Sequence, residues 1–247
     1  MKFGAIIIGD EILSGKRQDK HLAKAIATLA ERGIELSWAQ YLGDDPQLIA
    51  ATLRRTFAGS DVVFSFGGIG ATPDDHTRQS AAAAADVALR LHPDAEAEIR
   101  GRFRDDAKGD TPQRLMMGEF PEGAVIIPNP YNRIPGFSFR SHHFLPGFPE
   151  MAWPMLAWVL DTHYAHAGTE RAVEAAIIVR EAGESQLIDL MNECLRAYPQ
   201  LKVFSLPRVS PERFIELGVR GNGAQVAAAI AFLQSGVSSQ GFPWIPA

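Results

Sequence analysis

The stretch FGGIGATPDDHTRQS, residues 66–80, follows the apolar run DVVFS of residues 61–65 and places three glycines in four positions, then Thr-Pro, then two adjacent carboxylates. Gly67, Gly68 and Gly70 can take positive φ and let a ligand approach the backbone, so that exposed N–H groups cradle a phosphate or carboxylate. Thr72, Pro73 and Asp75 have the spacing of a capping box, which predicts a helix opening at Thr72 with its positive end at the glycines. The same residues would equally serve a plain strand-to-helix turn. Asp74 and Asp75 beside an anion site would repel the anion unless a cation intervenes. A Mg²⁺-like ion held jointly by carboxylate and phosphate oxygens resolves that conflict.

Upstream, residues 3–8 are apolar with three consecutive isoleucines, the pattern of a strand buried on both faces. They end in GDEILSGK, residues 9–16, which brings Asp10, Glu11, Ser14 and Lys16. Leu22, Ala25, Ile26 and Leu29 then recur at helical spacing, and Gly33 is placed to end that helix. Residues 34–42 read as a second strand leading into GDDP, residues 43–46. Asp44 lies in that loop, and Ile49, Leu53 and Phe57 mark the helix after it. Strands alternating with helices predict a parallel sheet with right-handed crossovers, whose ligands sit at the carboxyl ends of the strands. The acidic loops after the first, second and third strands therefore converge on one edge, where Lys16 is the candidate to meet phosphate.

Downstream, helical patterns cover residues 72–91, 93–106 and 111–117, and residues 124–127 read as a fourth strand. A proline-stiffened loop follows, with Asn129 and Asn132 as hydrogen-bonding candidates and Pro135-Gly136 at its end. Residues 137–145 read as a hairpin with His142 and His143 in its turn, and these two lack a third ligand at metal spacing. PGFP, residues 146–149, opens a helix reaching residue 164. The small, polar residues 165–169 suggest a boundary between a first domain, residues 1–165, and a small α+β domain, residues 170–236. Residues 237–247 read as a tail, unless Phe242 and Trp244 dock.

With 247 residues, 46% of them hydrophobic, the chain can bury one sizeable core and a small second one. A net charge of -5 provides no basic field for nucleic acid, so small molecules are the expected partners. The single Cys194 allows no internal disulfide, and no apolar run nears the roughly 20 residues that span a bilayer. Acidic residues at positions 10 and 11 come too early for a signal peptide, so a cytoplasmic location off the membrane is expected. Neither a Gly-x-Gly-x-x-Gly after the first strand nor a Walker loop is present.

In order, GDEILSG, GDD, GGIGATPDD, PNP with PGF, and LPGFPEM resemble the molybdopterin-binding domain family, the fold shared by MoaB and Mog proteins. They are most like the amino-terminal domain of the competence/damage-inducible protein A (CinA) family, over about residues 3–164. GESQLIDLM and ERFIELGVRG, residues 183–191 and 212–221, resemble the small middle domain of CinA proteins. The resemblance stops short of the CinA amidohydrolase domain, so nicotinamide mononucleotide deamidation is not expected of these residues.

What the resemblance implies is a three-layer α/β/α domain with a mostly parallel sheet, binding a pterin phosphate or nucleotide at the glycine loop. Mog-type relatives adenylylate molybdopterin with Mg²⁺; CinA-type relatives hydrolyse the pyrophosphate of ADP-ribose, with related activity on FAD in the FAD synthase amino-terminal domain. Carried over by position, Asp75 and Asp44 take the metal and catalytic places, with a divalent ion of the Mg²⁺ or Co²⁺ type. Gly67, Gly68 and Gly70, with Thr72 and Asp74, line the phosphate. Asp10 and Glu11 match the family's acidic turn, and Gly136 and Gly147 join the ligand-binding set from the later loops. Three places depart from the family pattern: Phe66 where Thr is usual, Lys20-His21 where Thr-Asn is frequent, and Gly147-Phe148-Pro149 in place of Gly-Pro-Pro. The resulting expectation is a metal-dependent nucleotide pyrophosphatase that forms a homo-oligomer. The alternative is a non-catalytic molybdopterin- or nucleotide-binding module linked to molybdenum cofactor metabolism.

Overall fold

The computed structural model describes residues 1–107, 109–168, 172–208 and 213–247; Thr169 of the expected boundary and Glu212 of the ERFIELGVRG stretch lie outside them. Two compact units divide the chain, Met1–Gly168 and Thr169–Ala247.

The first unit opens with strand β1 (Phe3–Ile8), buried at every position, followed by the short helix α1 (Asp10–Leu13) and helix α2 (His21–Ala30). Asp19 accepts the amides of His21 and Leu22 at 2.8 and 3.1 Å and so starts α2. Strand β2 (Leu36–Leu42) leads to helix α3 (Pro46–Phe57), where Asp45 accepts the Leu48 amide at 2.8 Å and Pro46 fills the first turn. Strand β3 (Val62–Phe66) delivers the chain into the glycine loop and helix α4 (Thr77–Ala85). Then come β4 (Leu89–Leu91), α5 (Pro93–Arg102), α6 (Pro112–Met116), β5 (Glu119–Pro121), β6 (Val125–Ile127), β7 (Gly136–Phe139), β8 (His142–Leu145) and α7 (Pro149–His163).

Six strands form one sheet in the order β2-β1-β3-β8-β7-β6, in which β2, β1, β3 and β8 pair parallel and β7 alone is reversed, antiparallel to both β8 and β6. Alternation along β1 sorts its side chains into two cores. Phe3, Ala5 and Ile7 pack with Ala25 and Leu29 of α2 and with Met155, Leu156, Val159 and Leu160 of α7. Ile6 and Ile8 pack with Ile49, Leu53 and Phe57 of α3 and with Ala81 and Ala84 of α4. A three-layer α/β/α unit with a mostly parallel sheet results, as expected from the sequence.

Two local expectations fail in the first unit. The predicted helix over residues 72–91 is three separate pieces. Thr72 to Asp75 close a turn on themselves, α4 begins only at Thr77, and Asp86, left-handed at φ 57°, ends it. Leu89–Leu91 then pairs antiparallel with Glu119–Pro121 in a two-stranded sheet. The hairpin turn is Arg140-Ser141, whereas His142 and His143 lie in β8 and are buried. His142 Nε2 meets Thr56 Oγ1 at 2.8 Å, and His143 meets Ser138 Oγ and Tyr164 OH, both at 2.8 Å.

The second unit contains β9 (Val173–Arg180), α8 (Glu184–Ala197), β10 (Lys202–Arg208), β11 (Phe214–Gly221), α9 (Gly223–Ser239) and β12 (Trp244–Pro246). Its sheet order is β10-β11-β9-β12, all pairs antiparallel. A separate core joins Ile177, Val179, Leu217 and Val219 to Leu187, Leu190 and buried Cys194 of α8 and to Val226, Ala229 and Leu233 of α9. The tail expected over residues 237–247 is not one: α9 runs on to Ser239, and Trp244–Pro246 docks as an edge strand on β9. Phe242 and Trp244 pack on the core, which is the physical reason the segment is ordered structure.

Candidate functional site

The carboxyl ends of the four parallel strands open into a single cleft of about 840 Å³ in the first unit. The backbone stitches its loops together: the Gly9 amide donates to Leu42 O and the Gly67 amide to Leu145 O, both at 3.0 Å. Lining the cleft are twelve of the residues singled out in the sequence, Glu11, Lys16, Asp44, Gly67, Gly68, Gly70, Thr72, Asp74, Asp75, Asn129, Asn132 and Gly147. Asp10 acts from behind Asp44, Ser14 caps the exposed end of α1, and Gly136 lies inside β7 with no room for a side chain against Phe144 O.

Gly67 and Gly68 need to be glycine. Their φ values are +102° and +69°, and a Cβ would stand 2.3 Å from Ile8 O at position 67 and 2.3 Å from Thr77 Oγ1 at position 68. Asp75 Oδ2 accepts both the Thr72 amide, at 2.8 Å, and the Thr72 hydroxyl, while the Asp75 amide returns to Thr72 O at 3.0 Å. Only the bond from the Thr72 amide to Asp75 Oδ2 belongs to a capping box, and the three together close an isolated turn. The Thr77 amide bonds back to Gly68 O at 2.9 Å, and this break separates the turn from α4.

The other two acidic loops are tied by a reciprocal pair. The Asp10 amide donates to Asp44 Oδ2 at 2.8 Å, and the Asp44 amide to Asp10 Oδ1 at 3.2 Å. Partial burial, reinforced by the charges of Asp10, Glu11 and Asp74, lifts the Asp44 carboxyl above its usual range; the Asp10 amide works against that rise. Asp44 thus sits in an electronegative corner that a cation would relieve. Among the described residues no three His, Cys, Asp or Glu side chains converge as a ready-made metal centre. Asp44 and Asp75 nonetheless suit a Mg²⁺-type ion, which binds through one or two carboxylates and takes its other ligands from water and substrate phosphate.

Asn129 and Asn132 line the cleft with their amides already engaged. Asn129 Nδ2 donates to Ile134 O at 2.9 Å and its Oδ1 accepts the Tyr131 amide at 3.0 Å; Asn132 Oδ1 accepts the Ile134 amide at 3.0 Å. They shape the proline loop. Of the apolar end of the cleft, built by Met117, Ile134, Pro135, Met151 and the half-exposed Phe148, the sequence reading named the proline loop and Phe148 but not Met117 or Met151 as part of it, and it passed over Arg17 beside Lys16. It also passed over two structural supports. His21, at one family departure, stacks on Phe66, at another, with ring centroids 4.8 Å apart, and its Nε2 lies 3.1 Å from Gly147 O. Arg78, fully buried, binds only backbone carbonyls among the described residues. The motif signalled neither, because His21 depends on partners remote in sequence and Arg78 is anchored as well by Met116 O and Glu119 O from outside the motif.

Comparison with known proteins agrees with this geometry. A CinA-like protein of Frankia casuarinae is 34% identical over 193 residues, 74% of this chain and 44% of that protein. A CinA-like protein of Geobacter metallireducens is 30% identical over 244 residues, 96% of this chain and 58% of that protein. The chain thus spans about half the length of these curated relatives. A crystal structure of the protein CinA, described as of unknown function, from Thermoplasma acidophilum superposes with a TM-score of 0.58 at 29% identity, covering 65% of this chain and 98% of that one. A family model described as a probable molybdopterin binding domain matches residues 4–166. Fold, cleft and sequence together place the chain in the molybdopterin-binding domain family, as a CinA-like member.

Proposed function

We propose that the first unit is a metal-dependent pyrophosphatase of the CinA amino-terminal type, acting on a nucleotide diphosphate derivative such as ADP-ribose or FAD. One observation carries the reading: the glycine loop and the carboxylates Asp44, Asp74 and Asp75 face the same cleft. Carboxylates and phosphates share a site only through a cation, so the pairing points to a metal-bridged phosphate ligand. Asp75 and Asp44 would hold an ion of the Mg²⁺ or Co²⁺ type, which when bound neutralises phosphoryl oxygens and lowers the pKa of a bound water. The chain's own groups do the rest. The glycine loop orients the phosphates, Lys16 and Arg17 supply positive charge at the polar end, and Phe148 with Ile134 and Met151 offers an apolar wall for a base or pterin ring.

A second reading, a molybdopterin- or nucleotide-binding module without turnover, is favoured by the hold of Thr72 on Asp75 Oδ2 through two donors. Chromatography of ADP-ribose and FAD incubated with the protein and Mg²⁺ or Co²⁺ separates the two. AMP released by the wild type and lost in Asp75→Asn supports the pyrophosphatase. Ligand binding without AMP overturns it in favour of the module.

A further inference from the structure

The four consecutive carbonyls of residues 67–70 are all held by the first two residues of α4. Thr77 Oγ1 donates to Gly67 O at 3.0 Å, the Thr77 amide to Gly68 O at 2.9 Å, Arg78 Nε to Ile69 O at 3.1 Å and Arg78 Nη2 to Gly70 O at 2.7 Å. The remaining guanidinium nitrogen, Nη1, donates to Met116 O and, at 3.3 Å, to Glu119 O, which anchors the guanidinium from the far side. No part of Arg78 reaches solvent.

In a trans peptide the C=O of one residue and the N–H of the next point in opposite directions. Holding carbonyls 67–70 toward α4 therefore turns the amides of Gly68, Ile69, Gly70 and Ala71 the other way. These four residues line the cleft, and none of their amides donates to a protein acceptor among the described residues. The run is bounded on both sides by satisfied amides: Gly67 donates to Leu145 O at 3.0 Å and Thr72 to Asp75 Oδ2 at 2.8 Å. Ile69 is buried and Gly68, Gly70 and Ala71 are half-buried at the cleft wall, so four consecutive donors without a protein partner among the described residues turn to one opening and make a place for an acceptor-rich ligand.

We propose that Arg78 is a positioning residue, which never touches ligand but aims the Gly70 and Ala71 amides into the cleft, while Thr77 aims those of Gly68 and Ile69, and that the four together cradle a diphosphate. This rests on the reading above only for the ligand being a phosphate. Lysine cannot replace Arg78, because an ammonium has no planar fork to hold Ile69 O, Gly70 O and the α6–β5 carbonyls at once. The buried guanidinium is in effect the back half of the ligand site.

The test is a titration of the ¹⁵N-labelled full chain with inorganic pyrophosphate, following the amides of residues 68–71. In the wild type all four should shift. In Arg78→Lys the Gly70 and Ala71 responses should vanish and affinity fall about tenfold or more, while Gly68 and Ile69 still respond. Thr77→Val, which keeps the Thr77 amide and removes only the hydroxyl, should instead weaken the Gly68 response, and it tests the scheme if Arg78→Lys fails to fold. A folded Arg78→Lys chain with wild-type pyrophosphate affinity overturns the proposal while leaving the pyrophosphatase reading standing. Release of AMP by a wild type whose four amides do not respond also overturns it. Amides that respond in a protein releasing no AMP support the cradle and remove the hydrolase.

Discussion

His143 illustrates how tightly single residues are committed in the first unit. Burial, helped by the neighbouring histidines 163 and 142, pushes its imidazole down to about 3; burial and then Arg140 push His142 down to about 4. Above the ordinary value of 6.5 both are neutral whether the chain is folded or unfolded. Below it the unfolded chain takes up protons that the folded one refuses, so stability falls as pH drops from 6.5 through about 4 and 3, by on the order of 3 kcal/mol per residue. The melting temperature measured from pH 7 to pH 4 should decline steeply, and His143→Gln should flatten the decline. An unchanged slope in that variant would count against a neutral buried His143. The sequence reading puts these histidines in the hairpin turn and not inside β8, because their partners Thr56 and Tyr164 come from other elements. Arg78 was illegible in part for the same reason, since Met116 O and Glu119 O hold it from outside its own motif. Gly67, Gly68 and Gly70 were readable, since backbone needs leave a local mark.

At the scale of elements, the parallel strands and the helices that bury them were legible because their apolar period is continuous. The stretch 72–91 was not. Its apolar and alanine content suits a helix, but Thr72 and Asp75 bond each other and Leu89–Leu91 finds a partner strand about thirty residues away, which no local pattern reports. The last strand, β12, was missed likewise: three residues, two of them Trp244 and Ile245, paired with Val179 and Ile178. Removing residues 243–247 should expose the edge of β9 and strip Trp244 from its core. We expect the second unit to lose about 3 kcal/mol, read by chemical denaturation, and to become sticky through its bare edge. A truncated chain as stable and as monodisperse as the intact one would show that β12 contributes nothing.

For the whole molecule, each of the two units has a core of its own, and every residue of the cleft comes from the first. Among the described residues no helix is long and apolar enough to cross a membrane. The family likeness extends past the cleft into the second unit, since the Geobacter metallireducens relative aligns over 96% of the chain. Function in this account nevertheless rests on one loop, in which a glycine at φ +69° lets the backbone turn its donors outward. The most direct test is a calorimetric titration of ADP-ribose with Mg²⁺ into the intact protein and into Gly68→Val. A Cβ at this position would meet Thr77 Oγ1 at 2.3 Å, and valine is strained at positive φ by about 1–3 kcal/mol. The account predicts heat and a defined affinity for the wild type, and a loss of about tenfold or more for the folded variant. Equal affinity in the two proteins, or binding that Gly68→Val leaves untouched while Mg²⁺ is removed, would place the ligand elsewhere and contradict it.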